Sequence, residues 1–231
     1  MKKCILDEKL KNLADTINLL LVRSDDSVGD IHILRKQIRE LLSLIDITDP
    51  CYHKLKKIIK LTNTIRDIDV FFSIYLESLK PNYKKSLDMN LIIITTTQER
   101  DKLLKELSSY LINFQIPLHV KPADGTQICS YSIDELKQKL IFEQKKLHKY
   151  RIQIKHTLYF LKNTKKHKKK IIKTLTLLKD LLGKINDNFN GLTRLKKFQV
   201  ADEKIINKIE KYTIKQNKKY FHKIEKINTS L

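Results

Sequence analysis

DIHILRKQIRELLSLI, residues 30–45, decides how this chain is read. Wound as an α-helix at about 100° per residue, it gathers His32, Arg35, Lys36 and Arg39 into one narrow arc, at steps i, i+3, i+4 and i+7. Ile31, Leu34, Ile38, Leu41, Leu42 and Ile45 fall on the opposite side. The helix is therefore amphipathic, and its polar face is a row of cations headed by a histidine. A solvated helix face ordinarily mixes signs, because like charges one turn apart repel by a few tenths of a kcal/mol per pair. Glu40 is the one acid among the central residues, and it stands off the row. A face of uniform positive sign points to a polyanion as partner.

The pattern returns half a chain later. With His148 set under His32, LHKYRIQIKHTLYFLK (147–162) places Arg151 under Arg35, Gln153 under Gln37, Lys155 under Arg39 and Leu158 under Leu42. A second element repeats as well. LTNTIRDIDVFFSIYL (61–76) resembles LLGKINDNFNGLTRL (181–195), with Ile65-Arg66-Asp67 over Ile185-Asn186-Asp187. A histidine helix followed by an [RN]-D helix, twice, reads as an internal duplication.

These residues resemble the CHAD family, the conserved histidine α-helical domain. Its V-H-x-x-R-x-x-x-[RK], R-D-x-D-V, L-H-x-x-R-x-x-x-K and L-G-x-x-N-D stand here as IHILRKQIR, RDIDV, LHKYRIQIK and LGKIND, in that order, over roughly residues 8–225. The resemblance implies an all-α fold of two four-helix bundles related by a pseudo-twofold axis, with a basic cleft that binds inorganic polyphosphate. It also implies that Lys56, Lys60 and Arg66 on the third helix, and His156 and Lys173 in the second half, join the two rows at that site. The family often carries further arginines one and three residues beyond each row. Glu40, Leu42, His156 and Leu158 stand there instead, and Thr176 takes a basic position ahead of L-G-x-x-N-D.

Composition bounds the alternatives. Lys and Arg number 47 against 26 Asp and Glu, a net charge of +21, which speaks of partners rather than of fold. Between residues 145 and 184, 14 Lys and Arg face one acid, Asp180, so most of the surplus lies in the second half. Only 4 Gly and 4 Pro leave little room for tight β-turns and favour helices. Cys4, Cys51 and Cys129 show no metal-ligand spacing and read as reduced thiols of a cytoplasmic protein. Lys2 and Lys3 precede no apolar signal core, and no run approaches the roughly 20 apolar residues of a membrane span, so no membrane partner is expected.

Along the chain, apolar periodicity marks a helix over 5–22. SDDSVGD (24–30) is a loop with Asp30 as N-cap, and Asp46 to Pro50 ends the histidine helix. A third helix runs from about Tyr52 to Leu79, bending near Asp67, with Lys56, Lys60, Asn63 and Asp67 on one side. Lys80-Pro81-Asn82 is a stop. LIIITTT (91–97) has the β-branched look of a strand, but a lone strand is marginal, so a helix is expected. PLHVKPADGTQ (117–127) divides the chain into halves, 1–118 and 119–231. Ser132 with Glu135 is a capping box opening a helix over 132–162. NTKKHKKK (163–170) is a basic loop, and helices follow at about 169–187, 189–199 and 202–227.

Polyphosphate is a flexible strand with about one charge per phosphate. Holding it needs spaced cations and no nucleophile. Arginine offers a bidentate fork to phosphate oxygens and lysine a mobile point charge. His32 and His148 can be read as phosphate donors, as partly buried structural groups, or as metal ligands; no second ligand stands at i+4 to favour the last. Asp67 and Asp187 are read as holding nearby cations or capping helices rather than as catalytic acids. The expected function is non-enzymatic polyphosphate binding, with no cofactor and no metal, at granules of the polymer. A general polyanion or nucleic-acid binder is the alternative, and with no Trp and no recognised motif it is the less favoured one. No E-x-E-x-K strand or P-loop suggests an enzyme.

Overall fold

The computed structural model describes residues 2–22, 28–117, 119–123, 144–163, 169–198 and 200–229. The elements are α1 (Lys2–Val22), α2 (Val28–Leu42), α3 (Pro50–Val70) continued by a π-helical segment (Phe71–Leu76), α4 (Pro81–Lys85), α5 (Met89–Ile112), α6 (Gln144–Asn163), α7 (Lys169–Phe198) and α8 (Glu203–Thr229). Among the described residues the one β feature is an isolated antiparallel bridge between Ile45 and Pro122. The protein is all-α, as expected. Residues 91–97 are helical within α5, because Ile92 and Thr96, one turn apart, are both buried and tertiary packing overrides the β-branched composition.

Contacts divide the chain into two compact units, residues 1–69 with 94–128, and residues 70–93 with 129–231. Residues 70–93 thus pack with the second half of the sequence, which a single cut at residue 118 does not separate. The reason is that α3 and its π extension outlast the first core: Ile58 and Ile65 belong to one apolar cluster, Phe71, Tyr75 and Leu76 to another.

In the first unit, Leu6, Leu10, Leu13 and Ile17 of α1 meet Ile31, Leu34, Ile38 and Leu41 of α2, with Leu55, Ile58 and Ile65 of α3 and Leu104, Leu107 and Leu111 of α5. The apolar face read from residues 30–45 is the buried one, Leu42 only partly. Asp30 lies inside the first turn of α2 rather than ahead of it, where its charge still suits the helix dipole. The turn between α2 and α3 is pinned to residues 119–123. Asp46 N–H donates to Lys121 O at 2.9 Å, Ala123 N–H to Leu44 O at 2.8 Å, and Lys121 N–H to Asp49 Oδ2 at 2.8 Å. The Lys121 ammonium, 2.8 Å from Asp46 Oδ2, and the Thr48 amide and hydroxyl hold the Asp46 carboxyl down at about 2. Cys51 is a free thiol in this core, pushed up to about 11 by burial, and behaves as a small apolar residue.

The second unit has two apolar clusters. In one, Phe71, Tyr75 and Leu76 pack against Leu192 and Leu195 of α7 and Ile209 of α8. The i→i+5 turn of the π segment widens the helix and lets these three side chains face one core. This irregularity starts at Phe71; α3 runs past Asp67 as an α-helix. The other cluster joins Leu147, Tyr150, Ile154 and Leu158 of α6 to Leu175, Leu178, Leu182 and Ile185 of α7 and Ile224 of α8. α7 is one helix of 30 residues, not two broken near residue 188. Its glycines do not end it, because both lie buried under a neighbour: Gly183 faces Arg151 and Gly191 faces the Tyr75 ring. Lys80 is the N-cap of α4 and Pro81 its first residue, so the stop at 80–82 is also a start. The Ser132–Glu135 capping box and residues 164–168 of the basic loop lie outside the described residues.

Candidate functional site

In the first unit, α2 sets Arg35 of its row against the middle of α3, at Ile59, Thr62 and Asn63. His32 and Lys36 are exposed and Arg39 is half-buried. Arg35 is not part of the open row: it is 5% exposed. Its Nη1 donates to Ile59 O at 3.0 Å and to Thr62 Oγ1 at 2.6 Å, and its Nη2 to Asn63 Oδ1 at 2.9 Å. Burial, then the nearby Arg39, push the guanidinium down to about 9, and the Asp67 charge opposes them, so it remains cationic at neutral pH. Arg35 therefore acts first as a bracket between α2 and α3. The Asp67 charge acts on Arg35, and the neighbouring Asp69, buried, takes Arg100 Nε at 3.0 Å.

The cations nonetheless converge on His32. Its imidazole pKa lies below the ordinary value, through partial burial first and then through Arg66, Arg39, Lys36 and Arg35 in turn. Four positive groups from two helices thus act on one histidine, which is held in its neutral form at pH 7. Lys56 and Lys60 are exposed on α3, with Lys56 Nζ 6.0 Å from the Tyr52 ring centroid. Glu40, the acid beside the row, is paired to Lys9 Nζ of α1 at 2.7 Å, so its charge is offset locally. The pair lines a groove of about 240 Å³ with Asn12, Ile33, Lys36 and Gln37.

In the second unit, Arg151 and Lys155 are half-buried on α6, and Lys173 is exposed on α7. The side chains of His148 and His156 lie outside the described residues. Arg151 lies over Gly183: a Cβ there would sit 2.9 Å from Arg151 Nη2. The glycine of L-G-x-x-N-D is the seat of a guanidinium. The repeat sets Gly183 opposite Asn63, so Arg35 and Arg151 meet matching positions of their partner helices. Leu158 is core and Leu42 packs against core, so neither position offers surface to an anion. Thr176 donates its hydroxyl to Ile172 O at 2.7 Å within α7.

Sequence reasoning missed Thr62 and Lys9. Thr62 is an unremarkable residue between Leu61 and Asn63, and nothing local marks it as the acceptor for an arginine on another helix. Asn63 was placed on the right side of α3 but not assigned to Arg35.

An anion beside His32 raises its pKa, because the imidazolium then has an opposite charge next to the four like ones. Anion binding should therefore take up a proton. Affinity should rise as pH falls from the range where free His32 is neutral, by up to about tenfold for each unit by which the ligand raises the pKa. Binding measured on both sides of that window in the wild type and His32→Gln checks this; equal pH slopes in the two would remove His32 from the site.

Among the described residues no helix is long and apolar enough to cross a membrane. No protein-family model and no curated protein matches this sequence. Among solved structures, the crystal structure of the CHAD domain from the plant Ricinus communis is similar, with a TM-score of 0.63 over 98% of this chain and 90% of that chain, at 18% identity. The motifs read from the sequence and the course of the helices agree: this chain has the CHAD fold.

Proposed function

We propose that this protein binds inorganic polyphosphate without transforming it, through the cation rows of α2 and α6, and that this binding brings it to granules of the polymer. The observation that carries the reading is the convergence of Arg66, Arg39, Lys36 and Arg35 on His32. Of these cations Arg35 is held by α3, and exposed Lys36 with the others beside His32 offers phosphate contacts, while the aspartates nearby lie beside arginines rather than poised as bases. A lysine- and arginine-lined surface of this kind gives electrostatic affinity by counterion release and needs no metal or cofactor for it.

The test is binding of long-chain polyphosphate over a salt series, with duplex DNA as competitor. The structure selects the variant: Lys36 is exposed and Arg39 half-buried, whereas Arg35 is bound into the fold. Lys36→Gln with Arg39→Gln should weaken binding and flatten the plot of log K against log salt by roughly 0.7 per cation removed. An unchanged slope overturns the reading of the α2 row. Displacement of polyphosphate by DNA at equal phosphate concentration favours the general polyanion binder instead.

A further inference from the structure

α8 carries a cation track that none of the repeated motifs includes. At about 100° per residue, Lys204, Lys208, Lys211, Lys215, Lys218 and Lys219 fall within an arc of about 100°, and no acid of the helix enters it. All six are exposed. On the opposite side Ile206, Ile209, Thr213, Asn217 and Ile224 are buried, which turns the lysine stripe outward. At about 1.5 Å per residue the six cover about 22 Å of helix axis.

What sets these lysines apart is their number on one arc of a single helix, without a carboxylate to offset them. Lys9, Lys84, Lys121, Lys179 and Lys196 each hold a carboxylate at 2.7–2.9 Å. None of the six on α8 has an ion-pair partner among the described residues. Like charges one turn apart cost a few tenths of a kcal/mol per pair, and here no acid offsets them. The chemistry of the stripe is also uniform. It offers point charges, with no guanidinium fork, no amide to read a base edge and no aromatic plane for stacking. A straight row of this kind suits a flexible linear polyanion, which can lie along it and meet every lysine. The phosphates of a duplex wind away from a straight line and meet only some.

We infer that α8 is a second track for polyphosphate, so that affinity depends on chain length. A short chain occupies the α6 and α7 cations of this unit alone, and a long chain also lies along α8. The inference rests on the reading of this protein as a polyphosphate binder. The experiment compares tripolyphosphate with a long-chain polyphosphate at low salt, on the wild type and on a variant with Lys208, Lys211, Lys215 and Lys219 changed to Gln. These residues are exposed, so the helical circular dichroism of the variant should match the wild type. The long chain should lose affinity and its salt slope should fall by about 3, roughly 0.7 for each lysine, while tripolyphosphate binds the two proteins alike within twofold. A long-to-short affinity ratio equal in both proteins overturns the α8 track and leaves the α2 and α6 rows standing. A wild type that binds neither chain overturns both readings. Duplex DNA that protects these lysines from acetylation as well as the long polyphosphate does overturns the choice of ligand.

Discussion

Replacing Gly191 with alanine should destabilise the protein by about 2–3 kcal/mol, although alanine is the better helix former. Gly191 lies in mid-helix on α7, where alanine alone gains about 1 kcal/mol. The added Cβ, however, enters the ring of Tyr75, which is 1% exposed. That ring cannot retreat freely. It stacks on Phe71 at 6.0 Å, and its hydroxyl lies 3.3 Å from Thr213 Oγ1. Overpacking a closed core costs about 1–3 kcal/mol and sometimes more, and a Cβ that meets ring carbons belongs at the upper end. Steric exclusion therefore outweighs propensity. Denaturant unfolding of Gly191→Ala, Tyr75→Leu and the double variant checks this. Tyr75→Leu makes room, so the double variant should be more stable than the sum of the two single losses. An alanine variant as stable as the wild type would show that the tyrosine has another place to go.

Arg35→Gln should cost about 3 kcal/mol, while Lys36→Gln, next to it in sequence, should change stability by less than about 0.5 kcal/mol. Both are cations of one helix face in the sequence, but they do different work. The Arg35 guanidinium makes three hydrogen bonds to α3, two of them from Nη1, at 5% exposure. Hydrogen bonds to a charged group contribute about 1.5–3 kcal/mol each, and they do not add fully here because Thr62 keeps its own bond to Ile58 O at 2.9 Å. Arg35→Lys should rescue little, since an ammonium cannot span the three acceptors that the planar fork reaches. Lys36 is exposed, and its loss should appear in polyphosphate affinity instead. Chemical denaturation of the three variants, read beside their binding, separates bracket from contact. Equal stability of Arg35→Gln and Lys36→Gln would deny Arg35 its structural role.

Much of the fold was legible because helix periodicity is a local property. The buried face of α2 is the face drawn from residues 30–45, and the alternation of helix and break is close to the expected one. The errors lie where a distant partner overrides a local signal. Separate helices at about 169–187 and 189–199 are expected from the sequence, yet α7 runs on as one, with Arg151 and the Tyr75 ring packed over its glycines. The prolines and the Asp-Gly signal of 117–127 mark a boundary between halves, yet Lys121 and Ala123 within it are tied by backbone hydrogen bonds and an ion pair to the turn after α2.

The sequence by itself determined that this is an all-α chain, that the spacing of His32, Arg35 and Arg39 recurs at His148, Arg151 and Lys155, and that its cations collect on particular helix faces. These follow from residue spacing at about 100° per residue, which needs no knowledge of what lies across the core. Only the tertiary structure decided which cations are bound into the fold and which remain open to a ligand. Arg35 is consumed by acceptors 24–28 residues further along the chain, Arg151 is seated on Gly183, and Glu40 is answered by Lys9 on α1. A row of like charges reads alike at every position until packing buries one and exposes the next.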